Sequence, residues 1–293
     1  REFRISGVKT NLVFIEPHIN NKDYLEGSDN TNFVDAKKEH YTYNPQKDRA
    51  SKIVSYLGNI IVNGHNDVSG RVSNNSTVEV QIPISNTKSG KNNYVKDLQT
   101  LGPEKFAKKI KETPYTLITD TTMRDAHQSL LATRMRTDDL INIAEYYSEN
   151  LSNLFSLECW GGATFDTSMR FLKEDPWDRL ARLNKRAPNL LKQMLFRGSN
   201  AVGYKNYPDN VVKHFIQQSA QAGIDVFRVF DSLNLIDNMR VAIDEVYNQN
   251  KICEGTICYT NDLTDPNEKK YTLKYYIDLV KDLEKAGAHI IAI

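Results

Sequence analysis

Thr119-Asp120-Thr121-Thr122-Met123-Arg124-Asp125-Ala126-His127-Gln128-Ser129-Leu130-Leu131 sets two carboxylates, an arginine, an imidazole and an amide in one short stretch. A carboxylate such as Asp125 is a ligand for a hard divalent cation, and arginine or amide groups grip anionic oxygens. The imidazole of His127 can act as a base, or as a structural donor behind a metal carboxylate. Residues 115–118 upstream are a short β-prone apolar run, and residues 138–147 downstream carry apolar side chains at helical spacing. The cluster is therefore expected on a strand-to-helix loop, where α/β enzymes hold their chemistry. The plainer reading is a helix cap, for which one Asp or Thr suffices.

Elements able to position such a cluster recur along the chain. β-prone runs at 115–118, 154–159, 190–196, 226–230, 255–259 and 289–293 alternate with helical stretches such as 211–222 and 273–286. In the last of these, Leu273, Ile277, Val280 and Leu283 share a face and Gly287 follows as a stop. A spacing of roughly 30 to 40 residues between runs suits a (β/α)8 TIM barrel. A doubly wound sheet gives the same alternation. The barrel is preferred because the strand exits carry polar residues and no Gly-x-Gly-x-x-Gly loop follows the first strand. Ile293 falls inside the sixth run, so the barrel is expected to be incomplete in this chain. The start at Arg1, without an initiating Met, is read in the same way, as part of a longer protein.

The first hundred or so residues read as a small α+β linker domain. Residues 4–11 suggest a strand and turn, and residues 20–43 are polar and irregular. Residues 47–57 place Ala50, Ile53, Val54 and Leu57 on one helical face, and residues 59–64 look like a strand closing on an Asn63-Gly64 turn. Residues 66–93, rich in Ser, Asn, Gly and Thr, read as linker, and a helix over 103–111 opens on Pro103-Glu104.

With 293 residues the chain can bury a sizeable core, and its 38 Lys and Arg against 37 Asp and Glu argue against nucleic-acid or membrane-surface binding. No apolar stretch is long enough to span a bilayer, and Arg1-Glu2-Phe3-Arg4 does not open a signal peptide. Cys159, Cys253 and Cys258, placed inside predicted strands without zinc or redox spacing, read as buried thiols in a reducing compartment.

Residues 120–134 (DTTMRDAHQSLLATR), 158–166 (ECWGGATFD), 194–204 (MLFRGSNAVGY) and 227–234 (FRVFDSLN) together resemble the carboxyltransferase barrel of the biotin-dependent pyruvate carboxylase family. Residues 2–11 resemble the end of a biotin carboxylase domain. Asp48-Arg49, Tyr56-Leu57-Gly58-Asn59 and Val62-Asn63-Gly64 resemble that family's allosteric and tetramerisation segment. The resemblance implies three domains: residues 1–18 ending a biotin carboxylase domain, 19–112 as allosteric and tetramerisation linker, and 113–293 as the barrel, cut in its sixth strand. It also implies carboxylation of pyruvate to oxaloacetate by a homotetramer located in the cytoplasm, or in the mitochondrial matrix of a eukaryote. ATP and Mg would act in the biotin carboxylase domain, and biotin would arrive as carboxybiotin on a carrier domain outside this chain.

In that resemblance Asp125 is a ligand of a divalent metal, Zn or Mn, whose carbamylated Lys and His-x-His partners lie beyond Ile293. Arg197, Gln128, Tyr204 and Asp166 are the catalytic set, with Tyr204 and Asp166 a pair at the biotin and pyruvate pocket. Arg124, Asp125, Ala126, His127, Gln128 and Arg197 line the substrate. Arg49 and Arg4 correspond to contacts of the activator acetyl-CoA, and Ser6 stands where the family often has another arginine. Plainer readings stay open. Asp125 pairs with Arg124 or Arg197; Arg197 is a surface cation; Arg124 holds the loop through a carboxylate such as Asp166. Tyr204 is a packed surface aromatic, and Arg49 forms a helix-start salt bridge. Trp160 reads as packing and His289 as structural. The rival functions are an oxaloacetate decarboxylase or transcarboxylase subunit, separated by ATP-dependent carboxylation, and a non-catalytic assembly segment, which the intact site residues oppose.

Overall fold

The computed structural model describes residues 10–28, 30, 32–41, 49–65 and 92–293. The chain divides into two compact units, Arg1–Gln81 and Ile82–Ile293. In the second unit β1 (Thr119–Asp120), β2 (Ser156–Trp160), β3 (Leu191–Phe196), β4 (Val226–Phe230), β5 (Ile252–Thr256) and β6 (Ile290–Ala292) form one sheet. Each strand pairs in parallel with the next, in the order of the sequence. A doubly wound sheet would reverse that order at a switch point, so the unbroken succession is that of a TIM barrel, curled through six of its strands.

Alternation along the strands builds two environments. Leu157, Cys159, Met194, Phe196, Phe227, Val229 and Cys253 pack with Leu140, Leu180, Leu183, Ile216, Ile243 and Leu283 of the covering helices in one large core. Their alternates Glu158, Gln193, Arg228 and Glu254 hydrogen-bond to one another across the sheet's other face. At the amino end of the sheet, Phe155, Leu191, Val226 and Ile252 meet Tyr94, Leu98 and Phe106 of the helices Tyr94–Leu101 and Pro103–Lys111. Burying a side chain such as Phe106 contributes roughly 1.5–3 kcal/mol relative to leaving it exposed.

Local chemistry sets several boundaries. Asp175 accepts from the Trp177 amide with Pro176 at the first helical position, and Thr272 accepts from the Tyr275 amide. Gly287 ends the Leu273–Ala286 helix at a left-handed φ of 102°. That helix and Pro103–Lys111 lie where the sequence places them.

Elsewhere the structure corrects the sequence reading. β1 begins after the 115–118 run, and β5 begins at Ile252 rather than 255, leaving Cys258 half-buried beyond the strand while Cys159 and Cys253 are buried. The chemical cluster is not a loop: Thr122–Ala126 forms a π-helical turn continued by the helix His127–Leu131. In the first unit the secondary-structure elements among the described residues are all helices. Leu12–Ile19, Lys22–Leu25 and Phe33–Ala36 are α-helices inside or beside the stretch expected to be irregular. The strand expected over 59–64 is the end of the helix Arg49–Asn63, because its β-branched run continues the apolar period of the preceding turns. Residues 4–9 and 66–91, read as strand and linker, lie outside the described residues.

Candidate active site at the strand exits

The exit of β1 presents Arg124 and Asp125 on the π-helical turn, with Gln128 one turn later. Arg124 is 5% exposed. Its Nε donates to Glu158 Oε1 at 2.5 Å and its Nη2 pairs with the same oxygen, while Nη1 donates to Asp125 Oδ1 at 3.1 Å and Gln128 Oε1 at 3.3 Å. One guanidinium thus joins a fully buried carboxylate to a carboxylate whose side chain is 53% exposed. The carboxylate that holds Arg124 is Glu158 and not Asp166.

β2 delivers the next pieces through an irregularity. Its register against β3 shifts between Glu158 and Trp160, and this bulge turns Cys159 and Trp160 both into the core. Trp160 packs on Phe165 and Trp177 at ring separations of 4.7 and 4.9 Å and donates from Nε1 to the Pro176 carbonyl, a packing role. The bulge also presents Gly161 and Gly162 to two arginines. A Cβ on Gly161 would sit 3.2 Å from Arg124 Cδ, and one on Gly162 would sit 2.9 Å from Arg197 Cζ and 2.8 Å from the Val202 carbonyl oxygen. The absence of side chains there lets the aliphatic stem of Arg124, after β1, and the guanidinium of Arg197, after β3, flank consecutive residues.

Arg197 follows β3, donates from Nη1 to the Gly203 carbonyl at 3.1 Å, and lies with Cζ 5.4 Å from the centre of the Tyr204 ring. The Tyr204 side chain is largely exposed. Asp166, on the helix Gly162–Thr167, accepts from Arg170 Nη2 at 2.5 Å. No hydrogen bond joins Asp166 to Tyr204 among the described residues; Arg170, one helical turn away on the same face, pairs with one oxygen of the carboxylate.

His127 is buried and its Nε2 bonds the Met123 carbonyl oxygen at 2.8 Å, while Nδ1 has no partner. Burial pulls its pKa below the ordinary 6.5, with Arg179 and Arg124 adding repulsion against the Met123 bond. That fits a neutral, structural imidazole. His289 accepts from the Cys253 amide at Nδ1, stacks on Tyr247, and is also shifted down by burial. Burial lowers the Arg228 pKa too, but Glu254, Glu158 and Asp125 outweigh it and hold the group above its usual value. Arg228 and Asp125 are thus within electrostatic reach of each other.

Sequence reasoning named Asp125, Gln128, Arg124 and Arg197, and the structure gathers the first three around one guanidinium. It gave no role to Gly161, Gly162, Glu158 or Arg228. The Gly161-Gly162 dipeptide and the isolated charges within apolar strands were the signals available. Among the described residues no three His, Cys, Asp or Glu side chains converge as a metal site. Arg4 lies outside the described residues, and Arg49 opens a helix.

No family model matches the chain. The carboxyl transferase domain of Rhizobium etli pyruvate carboxylase with pyruvate is similar over 84% of this chain and 42% of its own length, with a TM-score of 0.71 and 55% identity. The second unit thus has the architecture of a carboxyltransferase barrel. The similarity extends over the whole chain. A pyruvate carboxylase of Staphylococcus aureus is 50% identical over 295 residues, covering 100% of this chain and 26% of that protein. A Rhizobium etli pyruvate carboxylase variant with the allosteric activator acetyl coenzyme A matches 99% of this chain and 26% of its own, at a TM-score of 0.70 and 53% identity. The chain belongs to the pyruvate carboxylase family and spans about a quarter of the length of the relatives it matches. No described helix is long and apolar enough to cross a membrane.

Proposed function

We propose that this chain contributes the β1-to-β6 part of a carboxyltransferase site, in an enzyme that carboxylates pyruvate to oxaloacetate with carboxybiotin as donor. The observation that carries this reading is the pair of arginines drawn against Gly161 and Gly162 from the exits of β1 and β3, on either side of β2, beside the half-exposed Asp125. Arg197 is held by one nitrogen to the Gly203 carbonyl, so its other N–H groups can grip the carboxylate or developing enolate oxygen of a keto acid. Tyr204, lying on that guanidinium, orients it and walls the biotin side, with Asp166 nearby in sequence to Arg170 as a rim carboxylate. Gln128 and Arg124 add donors at the β1 exit, and the backbone of Ala126 and His127 closes the turn that carries them.

Asp125 fits one position of a divalent metal site: it is a carboxylate at a strand exit, half exposed, with only Oδ1 taken by Arg124 among the described residues. Zn or Mn, held there with ligands from outside the described residues, would supply Lewis-acid stabilisation of enolate charge. The decisive role of Asp125 in this reading is therefore to fix the site where that charge develops.

The same reading assigns residues 1–18 to the end of a biotin carboxylase domain that uses ATP and Mg, 19–112 to an allosteric and tetramerisation linker, and 113–293 to the barrel. It places acetyl-CoA near Arg4 and Arg49, and makes the enzyme a homotetramer. The test is incorporation of labelled bicarbonate into oxaloacetate by the full-length protein. Incorporation dependent on both pyruvate and ATP is expected. Oxaloacetate decarboxylation without ATP-dependent incorporation would favour the decarboxylase or transcarboxylase reading instead.

A further inference from the structure

We infer that Glu158 and Arg228 are positioning residues for the reaction, forming with Gln193 and Glu254 a buried charge array that fixes Arg124 and thereby sets Asp125 and Gln128. The inference rests on the proposed role of Asp125 and Gln128. The array spans four neighbouring strands. Glu158 on β2 stands beside Gln193 on β3, and Arg228 on β4 stands beside Glu254 on β5, each pair in register. Parallel strands in register turn such neighbours to the same face, so the four polar groups meet where a barrel interior would otherwise be apolar.

The donors and acceptors of the four strands pair in one consistent direction. Ser156 Oγ donates to Gln193 Oε1 at 2.6 Å, so Thr119 Oγ1 donates to Ser156 at 2.8 Å. The Gln193 amide nitrogen then donates to Glu158 Oε2 at 3.3 Å and Glu254 Oε2 at 3.0 Å. Arg228 reaches Glu158 Oε2 through Nη1 at 2.9 Å, Glu254 Oε2 through Nε at 3.0 Å and Glu254 Oε1 through Nη2 at 3.3 Å. The remaining oxygen of Glu158 receives Nε and Nη2 of Arg124. Two guanidiniums balance two carboxylates.

Glu158 is fully buried, and a buried carboxylate deprived of one cation is costly, so the array resists any rotation of Arg124. With its inner edge locked, Arg124 has Nη1 left for Asp125 and Gln128, the two side chains that face the site. The array therefore supports the groups that would meet substrate and metal, without touching either.

The experiment uses the full-length enzyme and measures biotin-dependent oxaloacetate decarboxylation, ATP-dependent biotin carboxylation, bound divalent metal and thermal unfolding. Glu158→Gln keeps the shape but turns an N–H toward a donor. We expect kcat for decarboxylation to fall about 10–100-fold, the scale of losing a supporting group behind a metal ligand, with metal content reduced and biotin carboxylation unchanged. Combined with Arg124→Lys, the loss should be no greater than that of the worse single variant, because the residues act as a unit. Unchanged kcat and metal content, or losses that multiply, would overturn the inference. Should Glu158→Gln fail to fold, Arg228→Lys is read in the same way, with about a tenfold loss in kcat expected and an unchanged kcat overturning it. Asp125→Asn, measured alongside, separates the two readings. If that variant retains full decarboxylation, the assignment of the site has failed, whatever the array does.

Discussion

Arg197 meets a backbone carbonyl, a tyrosine ring and the bare backbone of Gly162, a setting in which the planar fork matters more than the charge. Lysine could supply a cation there but not two parallel donors. Arg197→Lys in the full-length enzyme should lower pyruvate-dependent turnover by about 10² or more, the scale of losing one oxyanion donor, and steady-state kinetics would show it. Turnover within a factor of about two of the parent would return Arg197 to the role of a surface cation, a scale far below that loss. At this scale the sequence was informative about which residues matter and poor about their partners. Asp125, Gln128 and Arg197 announce themselves by type and position. That Arg124 is held by Glu158 instead of Asp166 depends on a lateral pairing between strands separated by more than thirty residues, which no local pattern encodes.

The elements show the opposite balance. Helices with a cap and an apolar stripe, such as Leu273–Ala286 and Pro103–Lys111, were legible to the residue. The helix Tyr94–Leu101 was not, because its short length and polar neighbours hide a face that becomes apolar only against the end of the sheet. The bulge in β2 was equally invisible, since a single extra residue leaves the apolar run unchanged. The seal at the amino end gives an element-scale prediction. Phe106 is fully buried, stacked on Phe155 at 6.3 Å and edge-on to Tyr94 at 6.2 Å. Phe106→Ala should cost about 3–5 kcal/mol of stability, seen as a lower denaturant midpoint at an unchanged slope. A loss below about 1 kcal/mol would mean that these helices do not stabilise the sheet.

For the whole molecule, the consecutive parallel order of six strands resolved what alternation alone left open between a barrel and a doubly wound sheet. The folded state also carries a pH signature. His127 and His289 are both held below their ordinary 6.5 by burial, so the unfolded chain binds more protons than the folded one in that range. Their contribution is complete above about pH 6.5 and is lost as pH falls toward the folded values. Unfolding free energy should therefore decline from about pH 6.5 to pH 5, and a flat or rising profile in denaturant titrations would contradict the burial of two neutral imidazoles. The central claim is that the β1 exit belongs to a carboxyltransferase site, and Asp125→Ala in the full-length enzyme tests it most directly. With both half-reactions assayed on one preparation, the account predicts that carboxyl transfer between biotin and pyruvate is abolished while ATP-dependent biotin carboxylation persists; normal carboxyl transfer with normal metal content would contradict it.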